Sequence, residues 1–187
     1  DYFEAMKYYN LAAKQNDANA KLCIGMLYND GLGVKQNFAE AVQWFQKAAE
    51  QGVSNAQFNM GLAFDIGEGV LKNSKEAIRW YQLAVEQGNV PAMINLGTIY
   101  YNGENTNLDK KEAKKLFKLA FENDSEIAND YSEIINKEDD ENFYIPPKYL
   151  EELKKQNTKV LKTSLKEKKQ INDNIIFFPL NQRKKNK

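Results

Sequence analysis

Ala41-Val42-Gln43-Trp44-Phe45-Gln46-Lys47-Ala48-Ala49-Glu50-Gln51-Gly52 decides the fold, because the chain repeats this pattern at steps of 36 residues. Ala5, Ala41, Ala77 and Ala113 share one register, as do Ala12, Ala48, Ala84 and Ala120, and then Ala20, Ala56, Ala92 and Ala128. A ring recurs at Tyr9, Phe45, Tyr81 and Phe117; glycines recur at Gly25, Gly61 and Gly97, and again at Gly31, Gly67 and Gly103. The register holds without a gap. A fixed period of this length is the mark of stacked supersecondary units.

Within the stretch, Ala41, Val42, Phe45, Ala48 and Ala49 have helical spacing and predict a first helix over 38–51. Asp1…Glu4, Asn37…Glu40, Asn73…Glu76 and Asp109…Glu112 have the spacing of a capping box. In such a box a short polar side chain accepts from exposed backbone N–H groups while the Glu reaches back. Gly52 and Gly88 stand where a left-handed residue ends a helix, with Asn16 and Asp124 in the same place. A second helix is predicted over 55–65, ended by Gly67-Glu68-Gly69. Antiparallel helices approach closely where side chains are small, so the alanines and Gly61-type glycines are expected between the helices of one repeat. The rings at Tyr8, Trp44 and Trp80, and at Tyr9, Phe45 and Tyr81 beside them, are expected between successive pairs. One helix pair cannot bury its apolar face, and stacking supplies the core. The expectation is an all-α solenoid of about four 36-residue helix–turn–helix repeats, starting near residues 1, 37, 73 and 109.

The quoted stretch and its continuation, Ala56-Gln57-Phe58-Asn59-Met60-Gly61-Leu62-Ala63-Phe64…Gly67-Glu68-Gly69-Val70, closely resemble the Sel1-like repeat. The resemblance covers residues 1–137. It implies kinship with the tetratricopeptide repeat, and hence a right-handed superhelix with a concave groove. It also implies adaptor work, as in endoplasmic-reticulum degradation complexes, cell-wall synthase activation and bacterial signalling. A cysteine-rich branch of the family carries a disulfide in each repeat; with Cys23 as its one cysteine, this chain does not fit that branch.

The fourth repeat decays. Glu133 and Asp139 stand where Gly97 and Gly103 predict glycine, and Asp130 replaces the apolar Ile94. A solenoid end presents a polar outer face, so this repeat is expected to cap the array. Beyond it, Glu138-Asp139-Asp140-Glu141 is an acidic turn, and Ile145-Pro146-Pro147 interrupts the chain, with Pro147 suited to the first turn of a new helix. Leu150, Leu153, Val160, Leu161 and Leu165 then recur at near-helical spacing among Lys, Glu and Gln. This basic amphipathic segment has three readings: a helix that caps the solenoid, a surface for a partner or membrane, or a partly ordered linker. The charge favours the first, since residues 1–147 sum to −8 and residues 148–187 to +8. The expected organisation is a repeat solenoid over 1–137, an acidic turn with a C-terminal amphipathic helix over 138–170, and a basic, flexible tail over 171–187. Within that last part, Ile175-Ile176-Phe177-Phe178-Pro179-Leu180 is an apolar patch too short to span a bilayer.

The composition removes most catalytic chemistry. The chain of 187 residues has no histidine, so serine–histidine triads, cysteine–histidine dyads and most zinc sites lose their usual members. No Gly-x-Gly-x-x-Gly loop is present to cradle a phosphate. No catalytic residue, metal, cofactor or small-molecule substrate is expected, and the chain reads as no enzyme. Lysine outnumbers arginine 24 to 2, which argues against nucleic-acid readout. No stretch is long and apolar enough to cross a membrane. One cysteine leans towards a reducing compartment, so the expected location is cytoplasmic. The opening Asp1-Tyr2-Phe3-Glu4 lacks an initiator Met, and the chain is expected to be a fragment of a longer one.

What remains is binding. The first helices carry Lys7, Asn10 and Lys14, then Gln43, Gln46 and Glu50, then Arg79, Gln82 and Glu86, and Lys115, Lys118 and Glu122 on a face turned from the core. First helices line the concave side of the related tetratricopeptide superhelix, so stacking would join these residues into a polar strip. The candidate partner-binding residues are Lys7, Asn10, Gln43, Gln46, Arg79, Gln82, Lys115 and Lys118, and the expected partner is a protein or peptide. The expected role is an interaction scaffold or adaptor; the alternative is a regulatory or localisation region of a larger multidomain enzyme, such as a kinase.

Overall fold

The computed structural model describes residues 1–103, 109–123 and 144–152. Its first unit, Asp1–Tyr144, contains α1 (Tyr2–Lys14), α2 (Ala18–Asp30), α3 (Phe38–Ala49), α4 (Ser54–Ile66), α5 (Ser74–Val85), α6 (Val90–Asn102) and α7 (Lys110–Asn123). No strand occurs among the described residues. Each helix packs against the next along the chain, α1 on α2 through to α6 on α7. This is an α-solenoid with a repeat of about 36 residues, in which α1, α3, α5 and α7 are first helices and α2, α4 and α6 second helices.

The core is built from the positions that the period singles out. Ala41, Val42, Phe45, Ala48 and Ala49 are all buried on α3. Ala77, Tyr81 and Ala84 are buried on α5, and Ala113, Phe117 and Ala120 on α7. The first helix ends at Ala49 rather than residue 51 because the chain turns there. Gly52 N–H donates to Ala49 O at 2.9 Å, and Val53 N–H to Ala48 O at 3.2 Å, around Gly52 at φ +86°. This closing pair satisfies carbonyls that the helix leaves open. Asn16 makes the same turn at φ +67°.

The helix starts depart from the capping-box expectation in one half. Asn37 accepts from Glu40 N–H at 3.1 Å, Asn73 from Lys75 and Glu76 N–H, and Asp109 from Glu112 N–H at 2.9 Å. The cap's own N–H does not wait for the Glu. It donates to the preceding second helix: Asn37 to Tyr28 O at 2.9 Å, Asn73 to Phe64 O at 2.8 Å and Asp109 to Tyr100 O at 3.1 Å. With that donor taken, the carboxylates turn along the helix. Glu40 accepts from Trp44 Nε1 at 3.1 Å, Glu76 meets Arg79, and Glu112 meets Lys115.

The small-residue expectation also needs correcting. The most extensive helix contacts are α2 on α3, α4 on α5 and α6 on α7, which link one repeat to the next. A Cβ added at Gly25 would stand 2.6 Å from the Phe45 ring, and one at Gly61 2.5 Å from the Tyr81 ring. The glycines therefore admit the ring of the following repeat, not the partner helix of their own. Of the rings expected between pairs, Phe45 and Tyr81 are buried there, Trp44 and Trp80 are half-buried, and Tyr8 is exposed.

The second unit, Ile145–Lys187, is described over residues 145–152. A helix begins at Pro147, where no N–H is needed, and Tyr149 N–H donates to Pro146 O at 2.9 Å. The expected second helix of the fourth repeat, the acidic turn, the amphipathic helix beyond Glu152, the apolar patch and the basic tail lie outside the described residues.

Candidate functional site

The side chains of the strip are presented by first helices whose opposite faces are fixed in the core. Gln43 and Gln46 flank buried Phe45 on α3, Arg79 and Gln82 flank buried Tyr81 on α5, and Lys115 and Lys118 flank buried Phe117 on α7. A spacing of three residues puts each pair on one side of its helix. All six are exposed, as is Lys7 on α1; Asn10 is half-buried, with its amide donating to Met6 O at 2.8 Å.

Several are held in place by neighbours. Gln46 Nε2 donates to Glu50 Oε1 at 2.8 Å, and Gln82 Nε2 to the Tyr100 hydroxyl at 3.2 Å. Lys115 Nζ lies 3.3 Å from Glu112 Oε1. Arg79 Nη1 lies 3.5 Å from Glu76 Oε2, while its guanidinium sits 5.7 Å from the centre of the Trp80 ring. Lys47 Nζ stands 4.3 Å over Trp44, the counterpart of Trp80 one repeat earlier, although Lys47 itself matches Leu83 and not Arg79. Cation–π contacts at exposed sites contribute about 0.5–1 kcal/mol, enough to bias a side chain's orientation. Half-buried Trp80 thus props the strip's Arg79, while Trp44 holds Lys47 outside the strip, a role the sequence period does not reveal.

A second polar feature joins the repeats from within. Gln57 is buried on α4; its amide donates to Ala49 O at 3.4 Å and its oxygen accepts from Gln87 Nε2 at 2.7 Å. One repeat earlier, buried Lys21 donates to Asn16 Oδ1 and lies beside Gln51. Asn89 Nδ2 reaches back to Ser54 Oγ at 3.2 Å and Asn55 Oδ1 at 3.0 Å. The sequence signal for this seam was the recurrence of Gln15, Gln51 and Gln87 just beyond the first helices. The Gln57–Gln87 bond and those of Asn89 to Ser54 and Asn55 run between repeats and fix their stacking, whereas Gln57–Ala49 and Lys21–Asn16 tie the two helices of one repeat.

Among the described residues, Tyr81 has the one clearly displaced ionisation. Its hydroxyl accepts from Asn95 Nδ2 at 3.1 Å and also bonds to Asp65. Burial, and after it the Asp65 carboxylate, raise its pKa far above the usual tyrosine range. A phenol held neutral this firmly is a packing group, not an acid or base near neutral pH. Cys23 is half-buried on α2, at the position that Asn59 and Asn95 hold in later repeats.

The family model "Sel1 repeat" matches residues 1–17, 16–53, 54–89 and 90–125. The chain belongs to the Sel1 repeat family. The later three matched segments each take a second helix with the first helix after it, the pairs in closest contact. Among solved structures, the chain is similar to a Sel1 repeat protein from Oxalobacter formigenes, with 35% identity and a TM-score of 0.65. It is also similar to c5321, a protective antigen present in uropathogenic Escherichia coli strains and displaying an SLR fold, with 36% identity and a TM-score of 0.63. The alignments cover 68% and 64% of this chain, but 52% and 26% of those proteins, so the chain spans about half and about a quarter of their lengths. No curated protein matches it. Sel1 repeat proteins are a non-catalytic scaffold family that generally mediates protein–protein interaction. Among the described residues no helix is long and apolar enough to cross a membrane.

Proposed function

We propose that this Sel1 repeat chain is an interaction scaffold that holds a segment of a partner protein along its first helices. The observation that carries the reading is the recurrence of exposed polar pairs, Gln43 with Gln46, Arg79 with Gln82 and Lys115 with Lys118, at one helix position in successive repeats. Amides both donate and accept, and the cations donate, so such a row can meet the backbone and side chains of an extended peptide at regular intervals. Packing behind the row supports the reading: each pair flanks a buried ring, so the partner meets a surface already ordered and little entropy is lost in arranging it. The solenoid is taken to extend over 1–137, and its single cysteine suits the cytoplasm.

The test uses a partner captured from cells. Gln43→Ala, Arg79→Ala and Gln82→Ala are combined, and circular dichroism establishes that the variant keeps its helices. Affinity for the partner is expected to fall at least tenfold. A folded triple variant with unchanged affinity would move the binding site away from the first helices.

A further inference from the structure

The charged groups of the repeat array are not spread evenly over its helices. The four first helices carry eight exposed cations: Lys75 and Arg79 on α5, Lys111, Lys115 and Lys118 on α7, one lysine on α3 and two on α1. Within the same helices only Glu4 and Glu122 are exposed carboxylates. Exposed Glu50 and Glu86 close α3 and α5 at the position that Lys14 holds on α1 and Glu122 on α7, so that one row is mainly acidic, and Glu76 and Glu112, half-buried, pair with cations already counted. The second helices α2, α4 and α6 show no exposed cation at all, since Lys21 is buried there. This basic surface belongs to a stretch whose net charge over residues 1–147 is −8. The segregation is therefore local to the first helices and is not a by-product of a basic chain.

From this we infer that the first-helix strip selects an acidic peptide segment, rich in Asp or Glu, of its partner. The inference rests on the scaffold reading above and adds the chemistry of the occupant. Lys75 with Lys111, and Arg79 with Lys115, stand at matching positions in successive repeats and with Lys118 place positive potential along α5 and α7, which attracts a chain of carboxylates and disfavours a basic one. The exposed cations are lysines apart from Arg79, and the tryptophans nearest to them are half-buried beneath Lys47 and Arg79. On α3 and α5 that removes the open aromatic platforms on which single-stranded nucleic acid stacks; the exposed rings Tyr2, Phe3 and Tyr8 lie on α1. On α3 and α5 no large apolar side chain is exposed to enter a lipid surface. The interleaved Gln43, Gln46 and Gln82 instead supply amides for a peptide backbone.

The experiment uses the full chain and fluorescence anisotropy. The probes are a labelled peptide of alternating Glu and Ser, its Gln-and-Ser counterpart, a labelled single-stranded RNA, and vesicles containing anionic lipid. The Glu peptide is expected to bind, to weaken as salt rises and to bind at least tenfold more tightly than the Gln peptide. Combining Arg79→Glu, Lys115→Glu and Lys118→Glu should weaken it at least tenfold, while Lys35→Glu with Lys72→Glu, exposed cations outside the helices, should leave it within twofold. Circular dichroism confirms that both variants are folded. Undiminished binding to the triple variant would assign the acidic peptide to the basic C-terminal part and overturn the inference. Preference for RNA or vesicles over the Glu peptide would overturn it equally. A captured partner that is lost on Gln43→Ala, Arg79→Ala and Gln82→Ala, yet binds through an uncharged segment, would overturn this inference and leave the scaffold reading standing.

Discussion

Tyr81 shows how one side chain can carry both the packing and a pH dependence of the array. Its ring fills the space opposite Gly61 and its hydroxyl is held by Asn95 and Asp65. The equivalent positions hold phenylalanine at Phe45 and Phe117, so a ring without the hydroxyl fits this class of site. Tyr81→Phe is therefore expected to fold, with a loss of about 0.5–1.5 kcal/mol at neutral pH for the missing hydrogen bonds. The gap should narrow in alkali. The folded protein holds the Tyr81 proton more tightly than the unfolded chain, whose tyrosines titrate near pH ~10. Below that pH the phenol's contribution is intact; above it the unfolded state ionises, and stability falls by up to about 1.4 kcal/mol per pH unit for this group. Tyr81→Phe lacks that loss. Urea unfolding of both proteins from pH 8 to 11 measures the difference, and curves that stay parallel throughout would contradict the buried-phenol account.

Between elements, the spacing of α4 and α5 is governed by one glycine. Alanine is the better helix former, by roughly 0.8–1.0 kcal/mol, so Gly61→Ala gains stability from its own helix. The new Cβ would stand 2.5 Å from a ring that is fully buried, and whose hydroxyl is pinned at its far end. Overpacking of that kind costs about 1–3 kcal/mol and outweighs the helical gain. At Gly97 the nearest Phe117 atom would be 3.1 Å away, so the neighbour has less to give. The expected order of urea midpoints is wild type above Gly61→Ala, with Gly97→Ala between them or above. A Gly61→Ala midpoint at or above wild type would remove the glycine from its spacing role. The helix starts at this scale were legible in the sequence, since Asn37, Asn73 and Asp109 all cap as their spacing predicts. The expected reach-back of the glutamates fails, because the acceptor that takes each cap N–H is a carbonyl on the preceding second helix. A local motif carries no trace of a partner that only stacking brings near.

At the scale of the molecule, periodicity shows which positions form the core but not which copy each one touches. Gly61 lies 16 residues after Phe45 and 20 before Tyr81, and in a repeating chain both rings belong to the same position class. Only the three-dimensional stacking decides for Tyr81. The strip has the same history: its members and their exposure follow from helical spacing, whereas the Gln57–Gln87 bridge depends on a contact across the repeat boundary. In such an array each unit is stabilised mainly by its neighbours, so stability should vary along the chain rather than be shared evenly. The first helix makes the point. No residue of α1 is fully buried, while the equivalent α3 buries five. Ala5, Tyr9 and Ala12 are half-buried where Ala41, Phe45 and Ala48 are closed on both sides by α2 and α4. Local opening needs least free energy where least apolar surface is covered, so α1 should open without the rest. Native-state amide exchange of this chain is expected to show residues 5–14 exchanging at least tenfold faster than residues 41–49. Protection in α1 equal to that in α3 would mean that the repeats open as one cooperative block.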